Sequence, residues 1–151
     1  MPQLEFQQFL PVSPEEAWDF FSTPINLNRI TPPEMNFIIR SALPEKAYTG
    51  LIIVYTVSPF TGIPLTWVTE ITHIREPDYF VDEQRSGPYR IWHHEHHFRP
   101  VPGGVLMTDK LYYKVPFGPL GTLADKFLVR KKILKIFIYR EKALKKLFPG
   151  E

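Results

Sequence analysis

Residues Tyr89 to Val115 read YRIWHHEHHFRPVPGGVLMTDKLYYKV. Large apolar and polar side chains alternate through both halves, and Pro100-Val101-Pro102-Gly103-Gly104 separates them. A period of two broken by Pro and Gly is the signature of two antiparallel strands joined by a turn, so strands are predicted at 89–99 and 105–115. In the second strand the odd positions Val105, Met107, Leu111, Tyr113 and Val115 form an apolar face that also carries Asp109. In the first, the even face with Arg90, Trp92, His94, His96 and Phe98 is the more aromatic and the less charged, and is predicted to face inward. Placing Phe98 opposite Val105 sets His96 across from Met107, His94 across from Asp109 and Trp92 across from Leu111, with paired Cβ atoms about 5 Å apart. A buried carboxylate requires a partner and raises the pKa of an adjacent imidazole, so an inward His94–Asp109 hydrogen bond is expected.

The same punctuation continues toward the amino terminus. Strands are predicted near 4–12, 37–43, 51–58, 65–74 and 78–84, with breaks at Thr49-Gly50, Pro59 to Pro64, Glu76-Pro77-Asp78 and Ser86-Gly87-Pro88. Between the first two strands, Ser13-Pro14-Glu15-Glu16 combines a capping Ser, Pro at the first helical position and Glu three residues after the Ser. Ala17, Trp18, Phe20 and Phe21 give that helix its apolar face, and a second short helix fits 25–30 before Thr31-Pro32-Pro33. After Pro116-Phe117-Gly118-Pro119 the period becomes helical as far as Phe148. Leu120, Leu123, Ala124 and Phe127 mark one stripe, whereas Ile133, Ile136, Phe137, Leu144 and Leu147 mark another, turned by about a third of a turn at 100° per residue. A bend near 128–132 is predicted, with Arg130 between the stripes and facing partly inward.

Composition narrows the classes. A chain of 151 residues with 44% hydrophobic and 23% charged residues fits a single compact domain, here 1–151. Without cysteine it has no disulfides, thiolate metal sites or cysteine nucleophile. The start MPQLEFQQFL lacks the order of a signal peptide, and the longest purely apolar run, Leu51 to Tyr55, falls far short of a membrane span, so a cytoplasmic location is the expectation. Net charge is +2, yet 125–146 alone carries +7. That basic stretch is read as the solvated back of a packing helix, with weak contact to an anionic membrane surface as the alternative. No nucleic-acid motif accompanies it.

The run His93-His94-Glu95-His96-His97 superficially suggests metal binding. Alternation divides it between two faces, Arg99 follows, and no His lies beyond His97, so neither a native metal site nor a cofactor is expected. No G-x-S-x-G elbow or phosphate-binding glycine loop is present. General acid/base chemistry around an apolar hollow is what the residue types leave open, with His94 and Asp109 as the catalytic candidates.

Taken together, the order of elements, Ser13 to Phe21, Phe80-Val81-Asp82-Glu83-Gln84, Gly87-Pro88-Tyr89, the Trp92-x-His94-x-His96-x-Phe98 run, Thr108-Asp109 and Pro116 to Gly121 resemble the SRPBCC superfamily. This is the group of START-like, polyketide cyclase/dehydrase-like and birch-pollen-allergen-like proteins, and the likeness is to its bacterial cell-division-inhibitor-like branch. The resemblance implies an α+β helix-grip fold: a curved antiparallel sheet of six or seven strands wrapped around a long C-terminal helix, with two short helices after the first strand. It also implies an internal cavity that binds or carries a hydrophobic small molecule or lipid. The expected ligand-binding residues are Tyr55, Trp67, Trp92, His94, His96, Met107, Asp109, Tyr113 and Arg130. Two alternatives stand beside that reading. One is a cyclase/dehydratase-type enzyme acting on a polyketide-like carbonyl compound through His94 and Asp109. The other is a protein or membrane-surface interaction module working through the basic helix, with the chain as monomer or homodimer.

Overall fold

In a computed structural model, which describes residues 1–59 and 62–150, seven strands form one antiparallel sheet. In chain order these are β1 (Gln3–Leu10), β2 (Ile38–Ile39), β3 (Ile52–Val57), β4 (Leu65–Arg75), β5 (Tyr79–Ser86), β6 (Ile91–Val101) and β7 (Gly104–Lys114), and their order across the sheet is β1-β7-β6-β5-β4-β3-β2. The predicted turn at Pro59 to Pro64 falls partly on Phe60 and Thr61, outside the described residues. Strand β1 crosses the sheet to pair with β7, which leaves the others as a meander. Pairing slips at Val68/Thr69 and again at Ile71/His73, and such irregularities bend a sheet.

Helix α1 (Pro14–Phe21) begins as its sequence predicts: the Ser13 side chain accepts from the Glu16 amide at 3.1 Å, and Pro14 occupies the first turn. The second short helix is present as a 3₁₀ helix over Pro24–Ile30, followed by a further 3₁₀ turn at Pro33–Met35. At the carboxy terminus, α2 (Gly118–Ala124) runs through a π-helical turn at Asp125–Val129 into α3 (Arg130–Leu147). The extra residue of the π turn is what rotates one apolar stripe relative to the other. Asp125 is held there by the Tyr113 hydroxyl, which donates to it at 2.7 Å.

Strand parity follows the sequence in both long strands. On β7 the buried positions are the odd ones from Val105 to Tyr113, and on β6 they are His94, His96 and Phe98. The register differs from the expected one by two residues. Phe98 pairs with Met107, His96 with Asp109, His94 with Leu111 and Trp92 with Tyr113. The pairing continues to Val101↔Gly104 and closes on Pro102-Gly103, with Gly103 at φ +84°. Pro followed by Gly at positive φ is the chemistry of a two-residue type II turn, shorter than the five-residue break suggested. A shift of two preserves every face assignment, because side chains alternate with period two.

Helix α3 is seated over the β1/β7 side of the sheet. Phe137 stacks on Phe6 with ring centroids 4.1 Å apart, and it joins Val129 and Ile133 against Leu4, Leu111 and Tyr113. Farther along, Leu144 enters a second cluster with Trp18, Phe20, Phe98 and Met107. Over β3, β4 and β5 the helix makes no comparable seat, and a gap is left between them.

Candidate functional site

That gap is a cavity of about 200 Å³. Its sheet wall includes Ile53, Tyr55, Trp67, Thr69, Ile71 and Phe80, and its helix wall Ile133, Ile136 and Phe137. The 3₁₀ segment closes another side with Leu27, Ile30 and Met35. An apolar cavity of about 150 Å³ already accommodates benzene, so the space suits a small organic molecule.

One end of this apolar chamber is polar. Asp82, His94, His96 and Arg140 all reach the cavity, and Asp109 stands directly behind them, 1% exposed. The Nε2–H of His94 donates to Asp109 Oδ1 at 2.9 Å, so the expected pair forms, but diagonally across the strands. Directly opposite Asp109 is His96, whose Nε2–H donates to Asp82 Oδ2 at 2.5 Å. The Nδ1 of His96 lies 3.2 Å from Asp109 Oδ1, at an angle that leaves it without a well-formed hydrogen bond. Arg140 Nη1 stands 3.8 Å from the same oxygen, with its guanidinium over the rings of Phe21 and Phe137.

The two histidines respond to burial differently. Burial and the neighbouring His96 charge press His94 below the usual imidazole range, and Asp109 only partly offsets them. This corrects the expectation of a raised His94. Burial also acts against His96, but contacts to two carboxylates outweigh it and raise its pKa. For Asp109, burial alone would raise the carboxyl; the Arg140 charge and the histidine hydrogen bonds instead hold it well below the carboxylate range. Asp82 is likewise lowered, burial being outweighed mainly by His96. When His96 is protonated, Asp82 and Asp109 as anions balance Arg140 and His96 as cations, and the buried cluster has zero net charge. Chemically, it presents a proton donor on His96 beside a neutral imidazole on His94.

Both carboxylates titrate below their unfolded values, so their stabilisation is fully present above about pH 4 and is lost as pH falls through the folded values. With chelator present, urea unfolding between pH 5 and pH 2 is expected to show a steep acid limb. Asp82→Asn should make that limb shallower; an unchanged acid slope would contradict the assignment.

Of the residues singled out in the sequence, Tyr55, Trp67, Trp92, His94 and His96 line the cavity. Met107 and Asp109 do not reach it: Met107 packs among core side chains, and Asp109 lies behind the histidines. Tyr113 is buried and committed to Asp125. Arg130 is exposed, contrary to its expected inward position. The inward arginine is Arg140, three residues after Phe137 and four before Leu144 in the second apolar stripe, a spacing that could have identified it. Asp82 was also missed, although it shares strand parity with buried Phe80.

No family model and no curated protein sequence matches the chain. Solved structures do. A Panax ginseng major latex-like protein 151 superposes with a TM-score of 0.71 at 15% identity, covering 99% of this chain and 98% of that one. This is the helix-grip fold. The helix-grip architecture recurs in protein CV1439 of Chromobacterium violaceum, with TM-score 0.72, 14% identity and complete coverage of both chains. It recurs again in TTHA0849 of Thermus thermophilus, with TM-score 0.70, 18% identity, and coverage of 96% and 95%. The curved sheet gripping a 30-residue carboxy-terminal helical segment is therefore an architecture shared with plant and bacterial proteins.

Proposed function

We propose that this helix-grip protein binds a hydrophobic small molecule in the cavity between sheet and helix, with an oxygen-bearing acceptor group at the polar end. The observation that carries the reading is the set of buried donors left without partners around the chamber. Trp67 Nε1 and Arg140 Nε have none, and both residues line the wall. Burying such a donor unpaired costs about 1–3 kcal/mol, which a carbonyl, hydroxyl or carboxylate in the cavity offsets. An apolar body against Ile53, Ile71 and Ile136 supplies the remaining affinity. Assignment to the cell-division-inhibitor-like branch belongs to the same reading, supported by the sequence resemblance. Native mass spectrometry of protein purified without detergent tests it: a discrete added mass, released on unfolding, is expected, and the bare chain alone after exposure to hydrophobic extracts would count against it.

A second reading is favoured by one surface. Phe117, Leu120, Leu123, Phe127 and Leu128 are 55–80% exposed along α2 and the π turn, beside Lys126, exposed Arg130 and Lys131. Apolar side chains flanked by cations suit an anionic bilayer surface; among the described residues no helix is long and apolar enough to cross one. Each basic residue near such a surface contributes about 1 kcal/mol, so Arg130→Gln with Lys131→Gln should weaken binding to phosphatidylserine-containing vesicles about thirtyfold. Equal flotation of wild type and variant, or equal flotation with neutral vesicles, would remove this reading.

A further inference from the structure

We propose that Asp82, His94 and His96 form a site for a divalent transition-metal cation, Zn²⁺ in the first instance, with an open coordination position facing the cavity. One ligand atom from each of the three residues lies within 4.8 Å of the others. Strand β5 supplies the carboxylate and β6 the two imidazoles, with Asp82 paired directly to His94 across the strands. All three side chains reach the cavity, so a fourth ligand would come from that side.

The decisive feature is which ring nitrogen each histidine turns toward Asp82. Asp109 Oδ1 faces His94 Nε2 at 2.9 Å and His96 Nδ1 at 3.2 Å. The opposite nitrogens, His94 Nδ1 and His96 Nε2, lie toward Asp82 Oδ2 at 3.9 and 2.5 Å. A carboxylate behind a metal-binding histidine fixes its tautomer and ring orientation, and here one carboxylate is placed to do so for both rings. Ligand atoms around a tetrahedral Zn²⁺ stand about 3.3 Å apart, given bonds of about 2.0–2.1 Å. The His96–Asp82 contact therefore opens and the His94–Asp82 contact closes, each by less than about 1 Å. Phe80 stacks on His96 with centroids 4.1 Å apart and restrains that ring.

Two imidazoles and one carboxylate make a nitrogen/oxygen set suited to Zn²⁺, Co²⁺ or Fe²⁺; three protein ligands are the number that leaves a position open. The cation takes the place of the proton held between His96 and Asp82, so binding releases a proton. Arg140 Nη1 stands 3.8 Å from the same Asp109 oxygen, a positive charge beside the supporting carboxylate. Across the strand, His93 offers a natural comparison: its nitrogens contact Glu83 at 2.8 Å and Glu95 at 3.1 Å on the opposite, more exposed face. There Glu95 is likewise shared, meeting His97 Nε2 at 2.9 Å, but among the described residues it is Asp82, His94 and His96 that bring three ligand atoms within 4.8 Å of one another.

Metal binding does not require the organic ligand, so this proposal and the cavity reading can fail separately. The test is titration of tag-free, chelator-treated full-length protein with Zn²⁺, followed by long-range ¹H–¹⁵N correlation of the histidine rings and by calorimetry. Saturation at one equivalent is expected, with the His94 and His96 ring nitrogens shifted and those of His93 and His97 unmoved. Asp82→Asn and His94→Gln should each weaken binding at least a hundredfold, Asp109→Asn by 10–100-fold, and His93→Gln not at all. Should the buried variants fail to fold, the wild-type ring shifts decide alone. Absence of saturable binding below millimolar Zn²⁺, or shifts centred on His93 and His97, would overturn the proposal.

Discussion

Replacing Asp109 with asparagine is expected to destabilise the protein by about 3–5 kcal/mol, because it leaves buried cations without their anion. Asp109 is 1% exposed and Arg140 8%, so solvent cannot substitute for the lost partner. The carboxylate contacts Arg140, His94 and His96 at 3.8, 2.9 and 3.2 Å. For a chain of this length the corresponding fall in Tm is roughly 6–20 °C. Urea denaturation with chelator present measures the loss as a shift in midpoint. Removing one anion and one cation together, as Asp109→Leu with Arg140→Met, should restore much of it, since apolar replacement of a buried ion pair is often neutral and Asp82 keeps His96 as its partner. If the single variant costs no more than a surface change, the cluster does not hold charge as described.

The second large effect concerns the cavity. Thr69 is buried on β4, lines the chamber, and its hydroxyl has no hydrogen-bond partner. Thr69→Trp should place an indole in the chamber and displace about 100 Å² of apolar ligand contact. At about 25 cal/mol per Å² this forfeits about 2.5 kcal/mol, a loss of about seventyfold in affinity. Overpacking costs about 1–3 kcal/mol where space is already filled and less where a void receives the ring, so the variant should stay folded. Titration with an anionic environment-sensitive dye, alongside near-ultraviolet circular dichroism, reads both quantities. Undiminished dye affinity in a folded Thr69→Trp protein would place the binding elsewhere.

Much of this was legible in the sequence because period-two and period-3.6 patterns report which face is buried. The inward faces of β6 and β7 follow from alternation alone, and His94 does meet Asp109. Register was less accessible: the five-residue Pro/Gly break conceals a turn of only two residues, so the true partner of Asp109 on the adjacent strand is His96. The bend in the carboxy-terminal segment was visible as two stripes, but its form, a π turn, depends on Tyr113 reaching Asp125. Interpolating Arg130 between stripes failed because the π turn leaves that position on the outside. Met107 and Tyr113 lie on the buried face of β7 as alternation predicts, yet no β7 residue lines the chamber, because α1 and the α2–α3 segment cover that face, a tertiary fact that no strand pattern contains. Asp82 joins the cluster through β5–β6 pairing, which sets two residues twelve apart side by side.

The central claim, a ligand chamber between sheet and helix, is tested most directly by the indole N–H resonances of the three tryptophans. Trp67 and Trp92 line the chamber, whereas Trp18 is buried in the core against Phe80 and Phe98. During titration with a small aromatic carboxylate, the Trp67 and Trp92 signals should move together and saturate at one equivalent, while the Trp18 signal stays in place. Movement of all three without saturation, or of none at millimolar ligand, would contradict the account.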